Sequence, residues 1–562
     1  MKVAEVVVRI LEDEGIQDAF GIPGAAINPV YGFLQKSKIN HYIARHEEGA
    51  VHAADGYFRV SGKLALAICT SGPGATNLIT GLYTAHADSI PLIAISGNAN
   101  VNLFGKEAFQ CVDIATIAKT VSKATWCITN PPDAPKIMRE AFRTARSGRP
   151  GPVVIDLPLN VQLTEIDYDP AKDNPLLWSR PKPEPKAISQ AMDLIMEAKA
   201  PLMILGGGVI LSNATAEFRE LAEYLQIPVI MTYMGKGGLP YNHPLNAGHA
   251  GIQVGQPIGN KTFLESDLVI GVGCRFTDRH TGALDVYKGS RKFIHIDIEP
   301  HQIGNVIPAD VGIISDAKAA LIALLEEAKK RGYHPEPSER VKQLPETRDK
   351  LRRPMDLDEV PIRPHRVFLE LNKFFPPNTI FTAGCGITQI WSGQLQDIEL
   401  PRRYIPSGGA GTLGYELPAA IGAKVACPND PCVVVTGDAG LLFMVEEMAM
   451  AGQYDLPVII VVINNGYLSL IRQNQKYVYG FEHGVKLWYP NTIWYPKDFY
   501  PDNVKLVEAF GGQGERIFEP KDLPAAFDRG MKSKVTYLID VIVAREADCS
   551  MGGAINAVRE FV

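Results

Sequence analysis

The 562-residue chain lacks any apolar run of membrane-spanning length. The longest such stretches, like LPVIIVVI at 456–463, are strand-sized. An excess of one charge is also missing. With 56 basic and 62 acidic residues the net charge is −6, so nothing in it points to nucleic acid or an anionic membrane. The eight cysteines form no CxxC pair and keep no regular spacing, so neither a disulfide scaffold nor a zinc site is expected. A secretory leader is not apparent either. The opening residues, MKVAEVVVRILEDEGIQDAFGIPG, meet acids too early and read as a helix running into a strand. No short-period repeat occurs. These absences point to a reduced, cytoplasmic globular protein with no nucleic-acid or membrane partner.

What the sequence does contain is alternation. Short apolar runs (LALAICT, PLIAISG, GPVVIDLP, PLMILGGG, IPVIMTY, DLVIGVG, KFIHIDI, CVVVTGD, PVIIVVIN) are separated by amphipathic helical patterns. Strands that are apolar on both faces, with helices between them, form parallel sheets covered on both sides. The expected class is therefore α/β, with doubly wound parallel sheets. Two Pro-rich polar stretches, 178–187 and 331–366, read as linkers. They divide the chain into domains at 1–178, 188–335 and 360–545, followed by a C-terminal tail at 546–562.

The most informative motif lies in the third block. The strand VVVTGDAGLLF (433–443) ends in Gly437, Asp438, Ala439 and Gly440. A helical segment follows, and then a second strand ends in Asn464 and Asn465. Ligands of open α/β sheets bind at carboxyl strand ends. A carboxylate and an amide oxygen placed there suit Mg²⁺, which takes few protein ligands and shares phosphate oxygens. Gly437 and Gly440 would let backbone N–H groups approach a phosphate.

This pattern resembles the thiamine diphosphate (ThDP) enzymes, whose signature is Gly-Asp-Gly followed one helix and strand later by asparagine. Ala439 replaces the third glycine. The resemblance implies the ThDP-enzyme version of the three-domain fold, with Mg²⁺ held by Asp438, the Asn465 side chain and the Tyr467 carbonyl. Gly386, Thr388 and Gln389 would face the diphosphate or thiazolium. The Gly411 carbonyl would accept from the pyrimidine amino group, and Leu413 would support the bent coenzyme.

The stretch ARHEEGAVHAADGYFR (44–59) then gains a meaning. Activation of the coenzyme requires a buried carboxyl hydrogen-bonded to the pyrimidine N1′ atom. By resemblance that carboxyl belongs to Glu47, and Glu48 is structural. Gly24, Ala25 and Ala26 would line the reaction space. Pro73 and Asn77 belong to a Gly-rich turn near the pyrimidine. Phe109 and Gln110 would approach the site, with Gln110 either donating to a developing oxyanion or serving as a polar loop residue. In this family the two coenzyme halves come from different subunits, so a dimer is implied and a homotetramer expected.

In the middle block, small and polar residues follow buried strands, which suggests a dinucleotide pocket without a GxGxxG match. Relatives on the acetolactate synthase branch bind FAD here, in a structural role. By that likeness the FAD contacts are Gly207, Gly208, Thr232, Met234, Gly248, His249, Arg275, Arg279, Asp297 and Ile298. Stretches such as FQCVDIATIAKTVSK, CRFTDRHTG and NNGYLSLIRQNQ are most similar to the glyoxylate carboligases of that branch. The resemblance implies decarboxylation of a small 2-oxo acid and ligation to a second carbonyl compound. With two glyoxylate molecules the product is tartronate semialdehyde. Alternatives are acetolactate formation from pyruvate, a ThDP lyase acting on acyl-CoA thioesters, and a non-catalytic nucleotide-binding protein. Glu47 itself is a departure, because glyoxylate carboligases carry an aliphatic residue there.

Overall fold

The computed structural model describes residues 1–487 and 501–561. The expected third domain and tail also include 488–500 and 562, which lie outside the described residues. Three six-stranded sheets follow one another along the chain. The first contains β1 (Asp18–Gly21), β2 (Asn40–Ile43), β3 (Leu66–Cys69), β4 (Ile93–Asn98), β5 (Ala124–Cys127) and β6 (Val153–Pro158), in the order β2-β1-β3-β4-β6-β5. The second contains β7 (Pro201–Leu205), β8 (Val229–Met231), β9 (Asn246–His249), β10 (Leu268–Val272), β11 (Lys292–Asp297) and β12 (Val311–Ile314), in the order β12-β11-β10-β7-β8-β9. The third contains β13 (Ile380–Ala383), β14 (Tyr404–Pro406), β15 (Cys432–Gly437), β16 (Ile459–Asn464), β17 (Gln513–Ile517) and β18 (Tyr537–Ile542), in the order β14-β13-β15-β16-β18-β17. Neighbouring strands run parallel throughout these sheets. The central strands are buried along their length because their Val, Ile and Leu side chains meet helices on both faces.

The strand orders place the ligand-binding crevices. In each sheet the chain first builds to one side and then to the other, so a crevice opens where the order reverses. The reversal falls between β1 and β3, between β7 and β10, and between β13 and β15. The segments leaving those strand ends are 22–26 and 70–74, then 206–208 and 273–275, then 384–386 and 438–440. Several residues singled out in the sequence, among them Gly24, Gly208 and Asp438, lie on these six segments.

The first and third sheets share one continuous apolar core. Its centre is the crossing of helix Glu47–Ser61 with helix Glu416–Ala426. A Cβ at Gly56 would fall 2.1 Å from the Ala419 carbonyl oxygen, and one at Gly422 would fall 1.9 Å from that of Ala53. Only glycine permits this backbone contact.

The second expected linker is not a loose connection. It contains helices Glu339–Lys342 and Leu344–Lys350. Val341, Leu344 and Met355 are buried, and Arg348 Nη1 donates to the carbonyls of Tyr241, His243 and Asn246. The C-terminal stretch is also anchored. Met551–Gly552 pairs antiparallel with Val558–Arg559, and Glu560 forms an ion pair with Arg353 at 2.6 Å. Among the described residues, no helix is long and apolar enough to cross a membrane.

Candidate functional site

The crevice of the first sheet gathers the Glu47 group. His46 is extended, and its side chain accepts from the Glu48 N–H, which starts the helix at Glu47. The Glu47 carboxylate is 8 % exposed and accepts from Asn77 Nδ2 at 2.9 Å. Gly74 lies beneath it, where a Cβ would stand 3.0 Å from Glu47 Oε1. Gly72, at φ +62, carries Gln110 so closely that a Cβ would be 2.8 Å from Gln110 Cβ. A Cβ at Gly24 would lie 2.5 Å from Thr70 Cβ, and the buried Thr70 Oγ1 has no hydrogen-bond partner among the described residues. The structure thus brings Glu47, Asn77, Gly24 and Gln110 together around one turn. Ala25 and Pro73 are exposed at its rim, and the Ala26 carbonyl accepts from Gln162 Nε2. Glu48 pairs with His52, while Phe109 is 89 % exposed.

Sequence reasoning missed Glu447. This fully buried acid of the third domain accepts the N–H groups of Arg45 at 3.0 Å and His46 at 2.9 Å. It thereby fixes the backbone just before Glu47. Burial pushes the Glu447 carboxyl up to about 7, and Gly49 leaves the room it occupies. The only signal in the sequence was a second acid pair, Glu446 and Glu447.

The crevice of the third sheet gathers the Asp438 group. Asp438 is 9 % exposed and accepts from its neighbour Ala439 N at 2.9 Å and from Gly466 N at 2.5 Å. The second bond ties the β15 end to the β16 end. The Asn465 Oδ1 atom accepts from Tyr467 N, its Nδ2 donates to Ser469 Oγ at 2.6 Å, and the Tyr467 carbonyl accepts from Ser469 Oγ. No cationic side chain pairs with Asp438 among the described residues, and burial pushes its carboxyl up to about 7. A buried acid beside an amide oxygen and a carbonyl, with no side-chain cation, fits a hard divalent ion. Gly386, at φ +101, precedes helix Ile387–Leu395. Thr388 is buried in that helix, and Gln389 Nε2 donates to the Ser407 carbonyl at 3.0 Å. Gly411 takes φ +65, with Leu413 two residues on and half-buried.

The glycines of this crevice have a packing role that the sequence reading did not see. A Cβ at Gly384 or Gly440 would lie 2.5 or 2.8 Å from Glu416 Oε1. Glu416 is buried, accepts from Thr436 Oγ1, and is pushed up to about 6 by burial. A Cβ at Gly437 would meet only Thr388 Oγ1, at 3.4 Å.

At the crevice of the second sheet a cavity of about 810 Å³ runs toward the other two domains. That size suits a nucleotide-sized ligand. Gly207, Gly208, Thr232, Met234, Arg275, Arg279, Asp297 and Ile298 line it, along with Gln389 and Gly411. Gly248 and His249 do not. The Gly248 N–H donates to Asn246 Oδ1, and His249 Nδ1 contacts the Met231 carbonyl, so both belong to the core behind the wall. The Gly-rich turn is also shaped by packing, since a Cβ at Gly206 or Gly208 would strike Gly273. Arg149 was missed by the sequence reading. It comes from the first domain to the cavity wall, where its Nε donates to Ser89 Oγ. Arg275 stands in the same wall with no ion pair among the described residues, which fits an anionic group.

No hydrogen bond or ion pair joins Glu47 to Asp438 or Asn465 among the described residues.

Comparison with known proteins places this architecture. Residues 1–117 match the thiamine pyrophosphate enzyme N-terminal TPP binding domain, 188–324 the central domain, and 384–541 the C-terminal TPP binding domain. The chain belongs to the thiamine pyrophosphate (thiamine diphosphate) enzymes, and within them to the carboligase and lyase branch. It is 41 % identical to glyoxylate carboligase of Escherichia coli O157:H7, over 100 % of this chain and 96 % of that one. It is 40 % identical to a probable acetolactate synthase large subunit of Methanocaldococcus jannaschii, over 97 % and 92 % of the two chains. It is 38 % identical to acetolactate synthase of Arthrospira platensis, over 97 % and 95 %.

Proposed function

We propose that the protein is a cytoplasmic, ThDP- and Mg²⁺-dependent decarboxylating carboligase that condenses two glyoxylate molecules to tartronate semialdehyde and CO₂. The observation that carries this reading is the pairing of two crevices: a buried Glu47 held by Asn77 at one, and Asp438 tied to the Asn465 strand end at the other. The full-length likeness to glyoxylate carboligase favours glyoxylate as donor and acceptor. The domains are taken as 1–178, 188–335 and 360–545, with the segment from 546 as a C-terminal addition.

When bound, ThDP supplies a thiazolium carbon that adds to the substrate carbonyl and accepts the electrons released with CO₂. The chain provides the surroundings. Asp438, Asn465 and the Tyr467 carbonyl hold Mg²⁺, and Gly386, Thr388, Gln389, Gly437, Ala439 and Gly440 surround the diphosphate. Glu47 shares a proton with the pyrimidine N1′ atom while Asn77 holds its second oxygen in place. The Gly411 carbonyl accepts from the exocyclic amine, and Leu413 supports the ring. Gln110 would be placed to donate to an oxygen of the bound substrate, with Gly24, Ala25, Ala26 and Pro73 closing the space around it. By likeness to the family, in which the two coenzyme halves come from different subunits, Glu47 of one protomer would work with Asp438 of its partner, and two such dimers would make a tetramer.

Asn474, Leu470 and Ile471 line the cavity near Gly411. The Asn474 amide suits a small carboxylate-bearing acceptor. Supplying glyoxylate or pyruvate alone, with CO₂ and product quantified, tests the assignment. Glyoxylate should turn over about 10- to 200-fold faster, the range a pocket gains from one or two methylene differences. The opposite ratio would support acetolactate formation, which the acetolactate synthase relatives and the presence of Glu47 favour.

The middle cavity takes FAD in a structural role, with Arg149, Arg275 and Arg279 near its phosphates. The purified protein should absorb near the flavin maximum. Adding FAD to stripped protein at about a hundred times its Kd should add about 2.7 kcal/mol of stability, read as a higher melting midpoint. A colourless preparation whose midpoint ignores FAD would remove this part of the reading.

A further inference from the structure

Helix Leu78–Ala87 is placed between both functional clusters of the chain. The residue at its start, Asn77, holds Glu47. Its other end meets the loop 407–413, which presents Gly411 and Leu413. Thr84 Oγ1 lies 2.6 Å from Thr412 Oγ1. Asp88, just past the helix, accepts the Gly409 N–H at 2.7 Å and the Gly408 N–H at 3.1 Å. Arg59 Nη2 donates to the same Asp88 carboxylate at 2.8 Å, while its Nη1 donates to the Pro406 carbonyl at 2.8 Å. The side chains of Asp88 and Arg59 are 0 % and 5 % exposed.

Within this partly exposed loop the Gly408 and Gly409 N–H groups take their partners from outside it, on the buried Asp88 carboxylate. That carboxylate comes from the N-terminal domain, across the domain boundary. Gly409 is glycine for the same reason, since a Cβ there would stand 2.7 Å from Asp88 Oδ1. Within the loop, Thr412 N donates to Ser407 Oγ and Gly411 N to the Ser407 carbonyl, so displacement at 408–409 is carried directly to 411.

We infer that Asp88 and Thr84 are positioning residues for coenzyme activation: they set the Gly411 carbonyl and Leu413 at the height the pyrimidine ring requires. This rests on the ThDP reading proposed above. Asp88 lines the middle cavity and Thr84 does not; toward ThDP both would act through the 407–413 loop. A reacting geometry displaced by about 1 Å costs on the order of a hundredfold in rate.

The test uses full-length Asp88→Asn and Thr84→Val proteins, stripped and reloaded with ThDP and Mg²⁺. Three quantities are read: coenzyme affinity by calorimetric titration, C2–H exchange per bound coenzyme by NMR, and the melting midpoint. Asp88→Asn should slow exchange about 10- to 100-fold at full coenzyme occupancy, since it removes charge-assisted bonds to two N–H groups and Arg59. Thr84→Val should slow it several-fold with little change in midpoint. A merely structural role would lower occupancy and midpoint together and leave exchange per bound coenzyme at the wild-type rate. That result overturns the proposal, as does a wild-type rate in Thr84→Val should Asp88→Asn fail to fold. Wild-type protein that binds no ThDP would instead overturn the parent reading, and this inference with it.

Discussion

Glu47→Gln protein should bind ThDP and Mg²⁺ nearly as wild type and yet exchange the coenzyme C2 proton about 10²- to 10⁴-fold more slowly, the range attached to a positioned acid–base group. The substitution preserves size and the contact to Asn77 while removing the ionisable oxygen. Binding should survive because the proposed metal and diphosphate ligands lie in the third-domain cluster, away from position 47. Glu447 and His46 fix the backbone at this point whatever residue occupies position 47. Quenched exchange followed by NMR reads the rate directly. Unchanged exchange would remove the role given to Glu47 and leave its burial as a packing feature.

Asp438→Asn should release the metal. Truncating one partner of a buried, hydrogen-bonded charge pair costs about 2–5 kcal/mol, a 30- to several-thousandfold loss in affinity. Equilibrium titration of Mg²⁺ in the presence of ThDP measures it. Wild-type protein should show a matching pH dependence. Burial raises the Asp438 carboxyl from its ordinary 3.8 to about 7 in the metal-free chain, so the proton is held more tightly than in the unfolded chain. Metal must displace that proton. Apparent affinity should therefore fall about tenfold per pH unit below about 7 and level off above it. A flat profile from pH 5 to 8 would contradict this account of the site.

Much of this was legible from one-dimensional pattern. The central strands announce themselves as unbroken Val and Ile runs because both sheet faces are covered, as in β15 and β16. Edge strands do not. β2 reads NHYI and β17 reads QGERI, both partly exposed and polar, and their pairing depends on neighbours distant in sequence. The Asp438 and Asn465 pair was legible because both residues sit at the carboxyl ends of apolar strands. Glu447 was not, since its partners Arg45 and His46 lie some 400 residues away in the chain. Glycine was the least transparent residue. Gly208 and Gly440 read from sequence as ligand-facing positions, but each also has a close neighbour inside the protein that leaves no room for a side chain. The stretch 331–366 looked like a linker by composition because its few apolar residues are spaced widely enough to bury singly.

The central claim is that each working site is shared, with Glu47 from one protomer and Asp438 from its partner. Mixing the two inactive variants, Glu47→Gln and Asp438→Asn, under conditions that exchange subunits tests it most directly. Random reassortment makes half of the dimers mixed, and shared sites leave one of two intact in each. Carboligation should therefore return to about a quarter of the wild-type rate. A mixture that stays inactive after verified subunit exchange would place both residues in the same chain's site and contradict the account.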